Sequence, residues 1–285
     1  MFGFLNVNKP SGMSSHSIIS LLRKITGIKQ IGHAGTLDPL ASGVLPVAIG
    51  KASKLIDYLN DDKEYIAGLV LGKVSDTYDI EGKVEETGHR KIELDEVKEA
   101  TENFKGTIVQ IPPAFSAVHY KGKRLYELAR QGKIPDDIPK REITIYKNEI
   151  VSFDYEKQLL KLDIECSKGT YIRSIVNDLG QFLGSGAVMC ALTRVKSALM
   201  NIDNSVSISK ETTKEEVIKH LISPEQLLTL PFVEINSTEL ERVRHGNTIF
   251  NKYKVKDSVI LTKENMPIAL AFADNDLIRP KKLLL

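Results

Sequence analysis

One stretch of the chain joins a shaped loop to a single carboxylate: Gly32-His33-Ala34-Gly35-Thr36-Leu37-Asp38-Pro39-Leu40-Ala41-Ser42-Gly43. Glycines allow positive φ and a close approach of the backbone to a ligand. Pro39 fixes its own φ and pushes Asp38 toward an extended conformation. The apolar run 44–49 follows and predicts a strand. The pattern therefore presents Asp38 on a loop that leads into a strand.

The charges around this loop are one-sided. Between positions 1 and 54 there are six lysines and arginines, and Asp38 is the only acidic residue. The formal net charge of the whole chain is only +2, so total charge does not indicate a polyanionic partner, whereas this segment predicts a basic face. Composition and spacing leave two interpretations of Asp38 open, which are ordinary Asp-Pro turn chemistry and a functional carboxylate.

A family resemblance bears on that choice. From Gly32 to Leu45 the chain follows the pattern G-H-x-G-x-L-D-P-x-A-x-G-x-L without a departure. This pattern resembles the catalytic motif of the TruB family of tRNA pseudouridine synthases, in which the aspartate is catalytic. The resemblance implies that Asp38 is the catalytic residue and that the chain isomerises uridine 55 in the T arm of tRNA to pseudouridine.

A second stretch, from Lys63 to Gly82, resembles the family pattern K-x-Y followed by S-D-T-Y-D-x-x-G. The resemblance implies that Tyr65 contacts the target base and supports catalysis, although a lone tyrosine in a strand is more typical of core packing. We interpret Asp76 and Asp79 as residues that shape the loop before Gly82, rather than as an acid/base pair.

A third stretch, G-T-Y-I-R-S-I at 169–175, is followed by A-L-T-R at 191–194. By itself Arg173 is typical of a surface residue in the first turn of a helix, with Thr170 as the N-cap. The resemblance implies instead that Tyr171 and Arg173 line the active site and that Leu192 packs against the substrate.

The N-terminal run Asn8-Lys9-Pro10-Ser11-Gly12-Met13-Ser14-Ser15 resembles the family motif K-P-x-G-x-T-S, with Ser14 where threonine is usual. Lys9 is a candidate for substrate binding or structural contacts, and the alternative is a surface lysine beside a turn. His33 is the candidate that stacks in the opened RNA loop and holds it open.

The resemblance also implies the fold class and the domains. We expect an α+β pseudouridine synthase fold, with a mixed, largely antiparallel sheet flanked by helices, over residues 1–231. Residues 119–142 carry seven lysines and arginines against four acids and predict a basic RNA-clamping arm; a solvated helix and loop is the alternative. His119 replaces the usual family lysine there. Residues 232–285 resemble a small β-rich PUA-like RNA-binding domain.

The implied reaction breaks the N1–C1′ bond and joins C1′ to C5 of the same base. It is redox-neutral, so we expect no cofactor, and neither the histidines nor the two cysteines cluster at metal-ligand spacing. The base must first be extruded from the RNA. Asp38 attacks C1′ or C6 or abstracts a sugar proton, and the sequence does not choose. Arg173 is the candidate partner that keeps Asp38 ionised and oriented.

We expect a cytoplasmic monomer whose partner is the T arm of tRNA. The N-terminus lacks a basic region before an apolar core, and the uncharged run 179–193 is too short to span a bilayer. Asp38, Tyr65 and Arg173 precede residue 200, so we expect the chemistry not to need residues 232–285.

Two alternatives stay open: a non-catalytic tRNA-binding or RNA-folding module, and a carboxylate-dependent hydrolase. The hydrolase needs a second acid nearby in space, and residues 1–54 offer none.

Overall fold

Strands make up most of the regular structure in this computed structural model, which describes residues 1–60 and 62–285. The strands are β1 (Gly3–Lys9), β2 (Ile31–His33), β3 (Ser42–Ile49), β4 (Lys63–Leu71), β5 (Lys73–Ser75), β6 (Val84–Glu86), β7 (Gly106–Gln110), β8 (His119–Tyr120), β9 (Lys123–Arg124), β10 (Arg141–Asp154), β11 (Leu159–Cys166), β12 (Ala187–Ser197), β13 (Met200–Asn201), β14 (Phe232–Glu234), β15 (Ile249–Phe250), β16 (Asp257–Lys263), β17 (Met266–Ala273) and β18 (Leu277–Leu283). The α-helices are α1 (Ser15–Thr26), α2 (Leu94–Asn103), α3 (Leu125–Ala129), α4 (Ile172–Phe182), α5 (Lys214–Lys219) and α6 (Ser237–Arg244).

A nine-stranded sheet forms the larger part of the molecule. Its main path runs β1-β3-β12-β4-β11-β10-β7, with β2 paired to β3 and β13 paired to β12. Only β3 and β12 pair in parallel along this path, so the predicted mixed, largely antiparallel sheet is confirmed. The parallel pair brings two segments that are about 150 positions apart in sequence side by side, with Ser42 opposite Thr193 and Gly43 opposite Arg194.

Helices cover one face of this sheet. Leu22 of α1, Val97 of α2 and Leu179 of α4 lie in one buried cluster with Ala67 and Leu69 of β4. Each fully buried aliphatic side chain stabilises the fold by about 1.5–3 kcal/mol relative to an exposed one. The sheet is therefore a rigid base, and the loops at its edges can be held in fixed positions.

The ends of α1 follow local sequence signals. The Ser14 hydroxyl accepts a hydrogen bond from the Ser17 N–H, which satisfies one of the free donors at the start of the helix. Gly27 ends the helix with φ of 74°, a left-handed conformation in which only glycine avoids a steric cost.

The predicted N-cap of α4 is wrong. The helix begins after Tyr171, and the Thr170 hydroxyl instead donates to the Ser167 carbonyl. The amide side chain of Gln110 instead binds the backbone of Tyr171, the residue before the helix: its oxygen accepts from the Tyr171 N–H at 2.8 Å and its nitrogen donates to the Tyr171 carbonyl at 3.0 Å. A partner 61 positions away leaves no local sequence signal.

The C-terminal region forms a separate five-stranded sheet in the order β14-β16-β17-β18-β15. It packs on the N-terminal part of the chain through an apolar cluster in which Ile260, Leu270 and Leu284 meet Val44 and Leu55. We call this contact the interdomain cluster. In the described part of the chain, no helix has the length and apolar character that crossing a membrane requires.

Candidate active site

Asp38 lies on the loop between β2 and β3. Gly12 and Ser15, which follow β1, hold that loop in place through hydrogen bonds. The Ser15 hydroxyl donates to the Leu37 carbonyl at 3.1 Å and accepts from the Leu37 N–H at 2.8 Å. The Gly12 N–H donates to the Pro39 carbonyl at 2.8 Å. The loop is thus tied down on both sides of Asp38, whose side chain remains 36% exposed.

Lys9, at the end of β1, also contacts the Asp38 loop. Its side chain is fully buried, and its ammonium donates to the carbonyls of Met13 at 2.6 Å and Pro10 at 2.9 Å, with the Pro39 carbonyl at 3.5 Å. The alternative of a surface lysine is therefore wrong. Burial lowers the pKa of Lys9 to about 8, and the nearby charge of Asp38 acts in the opposite direction.

Arg173 is buried and reaches across to Asp38, rather than lying on the surface of α4. Its Nε donates to Asp38 Oδ2 at 2.9 Å, its Nη1 to the Thr77 carbonyl at 3.0 Å and its Nη2 to the Phe115 carbonyl at 3.0 Å. One guanidinium therefore joins the Asp38 loop to two other segments. A planar group with several donors is suited to this task because its geometry is fixed.

Asp79 is a second carboxylate at this guanidinium, and the sequence interpretation missed that contact. Its Oδ2 lies 3.6 Å from Arg173 Nε, and the residue is 3% exposed. Its Oδ1 accepts from the Thr77 hydroxyl at 2.6 Å and from the Glu81 N–H at 3.0 Å, so it also shapes its loop as expected. The absence of a second acid from residues 1–54 therefore does not exclude one from the site, because Asp79 enters from another loop.

Tyr65 lies on β4 with its side chain in the sheet core, opposite Arg194 of β12 in the strand register. Burial raises the pKa of its phenol, while the nearby charge of the Arg194 guanidinium acts in the opposite direction. Tyr65 is consequently a neutral phenol at pH 7. Leu192 is also buried and lies opposite Ala67, two positions along β4 from Tyr65, so both side chains belong to the same core.

His33 and Tyr171 are both half-buried. Burial lowers the pKa of His33, with Arg194 and His16 adding to the effect, and its Nδ1 has no hydrogen-bond partner among the described residues. The imidazole is therefore neutral at pH 7. Tyr171 stands at the start of α4, where the Arg141 guanidinium lies 5.3 Å from the centre of its ring.

Residues 119–142 form a short hairpin, β8 and β9, followed by α3. Leu125 and Ala129 are buried and anchor the segment. The exposed side includes Lys123, Lys133 and Lys140. His119, which stands where the resembling pattern has lysine, is exposed as well. The segment therefore presents basic side chains to solvent from an anchored base.

Comparisons with known proteins show which family the chain resembles over most of its length. Residues 23–172 match the profile described as "TruB family pseudouridylate synthase (N terminal domain)". The chain is 41% identical to tRNA pseudouridine synthase B of Syntrophomonas wolfei, over 96% of this chain and 94% of that protein. It is 40% identical to the protein of the same name from Caldanaerobacter subterraneus, over 99% and 98%.

Solved structures resemble the fold. A crystal structure of a Cbf5-Nop10-Gar1 complex contains a chain with a TM-score of 0.68 and 24% identity, covering 100% of this chain and 85% of the other. A crystal structure of the archaeal box H/ACA sRNP Nop10-Cbf5 complex gives a TM-score of 0.69 and 23% identity, covering 99% and 86%. At such identities the likeness shows a shared architecture.

Proposed function

Because the chain belongs to the TruB family of pseudouridylate synthases, which isomerise uridine to pseudouridine, we propose that its target is uridine 55 in the T arm of tRNA. The observation that carries the proposal is the pairing of a partly exposed Asp38 with the buried Arg173. A non-catalytic tRNA-binding module has no need of a buried guanidinium that holds a reachable carboxylate, so this geometry favours the enzyme.

The contacts of Asp38 suit a carboxylate that reacts. Arg173 holds Oδ2, while Oδ1 accepts no hydrogen bond from the described residues and the side chain stays partly exposed. A carboxylate nucleophile must be ionised, and the hydrogen bond from Arg173 Nε fixes the orientation of the Asp38 carboxylate. Asp38 attacks C1′ or C6 or abstracts a sugar proton. In each case the N1–C1′ bond breaks, C1′ bonds to C5, the C5 proton leaves and N1 takes up a proton.

The base-contacting residues form the second part of the proposal. A base inside folded RNA must be extruded before reaction, and flipped bases are held by stacking on aromatic and apolar side chains. We assign this contact to Tyr65, Leu192 and Tyr171, and the task of holding the RNA loop open to His33. The neutral imidazole of His33 and the neutral phenol of Tyr65 support stacking.

Two outlying segments complete the RNA site in this proposal. The basic arm at 119–142 clamps the T arm through phosphate contacts, and residues 232–285 form a PUA-like domain that binds the rest of the tRNA. The proposal includes a monomeric protein. Cys166 and Cys190 are free thiols, which supports a reducing compartment such as the cytoplasm. The isomerisation is redox-neutral, so the proposal includes no cofactor.

Unmodified tRNA transcript labelled with tritium at C5 of uridine tests the target. We expect release of about one equivalent of tritium per transcript, since one C–H bond breaks at each modified uridine. A transcript with cytidine at position 55 is the control and should release none. Release from the control transcript would show that position 55 is not the target, and no release from either would contradict the function itself.

The structure changes how the C-terminal region must be tested. Ala34 and Val44, which flank the Asp38 loop, belong to the interdomain cluster with Ile260 and Leu270. Removing residues 232–285 exposes that apolar surface beside the loop, so loss of activity in a truncated protein would not separate RNA binding from folding. Charge reversal on the exposed surface of the C-terminal region avoids this problem.

The double variant Lys254→Glu and Lys256→Glu is expected to weaken binding of full-length tRNA by at least about tenfold and to leave binding of an isolated T-arm stem-loop unchanged. Both lysines are exposed. The logarithm of the tRNA association constant falls as the logarithm of the salt concentration rises, and this dependence should become shallower by about 0.9 for each phosphate that the protein no longer neutralises. Filter binding across a salt series measures both. Lys98→Glu on α2 is the matched control, and equal affinities of the double variant and the wild type would refute an RNA-binding role for this surface.

A further inference from the structure

Arg194 of β12 is among the largest fully buried side chains of the molecule, with 1% of its surface exposed. No carboxylate lies within 4 Å of its guanidinium in residues 1–60 and 62–285, in contrast to Arg173. A buried charge is costly unless hydrogen bonds compensate it. The positions of those compensating hydrogen bonds indicate what the residue does.

The Arg194 guanidinium holds both ends of the loop that carries Asp38. Its Nε donates to the Val44 carbonyl at 2.7 Å, just after the loop, and its Nη2 donates to the Gly35 carbonyl at 3.1 Å, before Asp38. One planar group thus fixes the distance between two backbone points on either side of the catalytic residue. A lysine ammonium lacks this fork and cannot bridge both carbonyls in the same geometry.

The backbone of Arg194 anchors the same place. Arg194 pairs with Gly43 where β12 runs parallel to β3. Gly43 has φ of 99°, and a Cβ there would lie 2.2 Å from the Arg194 carbonyl oxygen. Glycine at position 43 is therefore required for β12 to approach the end of the loop, which sets the position from which the Arg194 side chain extends.

The third contact of Arg194 is with Tyr65. The two residues are opposite each other in the β12–β4 register, so their side chains are direct neighbours on one face of the sheet. The same side chain consequently links the loop of Asp38 with the aromatic ring that we assign to the target base. Arg173 does not make this connection, because its hydrogen bonds go to Asp38 and to the carbonyls of Thr77 and Phe115.

We propose that Arg194 is a positioning residue for the isomerisation: it fixes the Asp38 loop relative to the Tyr65 ring without touching the substrate. The inference rests on the proposed function and adds to it a residue whose contribution appears in turnover and not in tRNA affinity. A purely structural arginine would affect the melting temperature, but the protein that remains folded would turn over at the normal rate.

The test compares Arg194→Lys, Tyr65→Phe and the double variant in single-turnover tritium release at saturating tRNA. We expect Arg194→Lys to lower the rate by at least about tenfold, with the Kd for tRNA within about twofold of the wild-type value. The double variant should lose less than the product of the two single losses, because the two side chains are direct cross-strand neighbours and each substitution disturbs the same arrangement. Lys196→Arg, on the same strand with its ammonium 3.5 Å from Glu165, is the matched control.

The outcomes separate this inference from the proposed function. An inactive wild type would contradict the function, whereas an active wild type with a folded Arg194→Lys of normal rate overturns the role of Arg194. Multiplicative losses in the double variant overturn its link to Tyr65. Arg194→Gln, which keeps a flat amide and removes the buried charge, is the second variant if lysine prevents folding. Failure of both variants to fold would show that the residue is structural only.

Discussion

Asp38→Asn is expected to abolish pseudouridine formation while leaving the fold and the tRNA affinity intact. Asparagine has the same shape, and its amide oxygen can still accept the hydrogen bond from Arg173 Nε. Arg173 keeps its hydrogen bonds to two backbone carbonyls and its ion pair with Asp79, so its charge stays compensated. What disappears is the carboxylate oxygen that we propose as the reacting group. We expect the single-turnover rate to fall by at least about a thousandfold, or about 4 kcal/mol of barrier.

Tritium release and filter binding on the same tRNA transcript measure the two quantities separately. Asp95→Asn is the matched control, since Asp95 is an exposed aspartate on α2 whose carboxylate lies 2.8 Å from the Lys98 ammonium. A rate within about tenfold of the wild type for Asp38→Asn, a barrier change under about 1.4 kcal/mol, would rule out Asp38 as the catalytic carboxylate. A higher Kd for tRNA together with a normal rate would assign Asp38 to substrate binding instead.

Arg173→Lys is expected to lower the single-turnover rate by about a hundredfold and to leave the tRNA affinity nearly unchanged. Lysine keeps the positive charge between Asp38 and Asp79 but cannot donate along three directions in one plane. A charge-assisted hydrogen bond contributes about 1.5–3 kcal/mol, and about 1.36 kcal/mol corresponds to a factor of ten in rate. The affinity should hold because the guanidinium is buried.

Arg90→Lys provides the control for this substitution, because Arg90 donates from two nitrogens to Glu96 at the exposed surface. This control should keep the wild-type rate. A normal rate for Arg173→Lys would show that Arg173 does not orient Asp38. A parallel fall in melting temperature and folded fraction, with a normal rate per folded molecule, would assign it to structure alone.

Local sequence signals sufficed where a structure depends on neighbouring residues. Ser14 and Gly27 mark the ends of α1 because capping and left-handed φ are set within one helical turn. The glycines, the proline and the absence of other acids around Asp38 lie within a short stretch and made it a candidate, and the resemblance of the motif selected it as the proposed catalytic residue. The strand 44–49 was evident from its apolar run, and β3 extends it only to Ser42.

Signals that depend on distant partners were missed or misread. Thr170 has the right residue type for an N-cap, but Gln110 arrives from β7 and satisfies the backbone there. The sequence left Lys9 open between a contact residue and a surface lysine, and the choice was decided only by the carbonyls of Pro10, Met13 and Pro39, which enclose its ammonium. In both cases a polar group's environment is set by hydrogen-bond partners that fold back onto it.

By itself the sequence determined which residues are candidates for the reactive and stacking groups, because residue type and motif spacing are properties of the sequence alone. The tertiary structure alone decided which of them act together. The parallel pairing of β3 with β12 places Arg194 against the Asp38 loop, and α4 carries Arg173 to Asp38 and Asp79 from positions more than ninety residues away. Hydrogen bonds and ion pairs act over only a few ångströms, so such contacts arise only when the sheet has brought distant segments together.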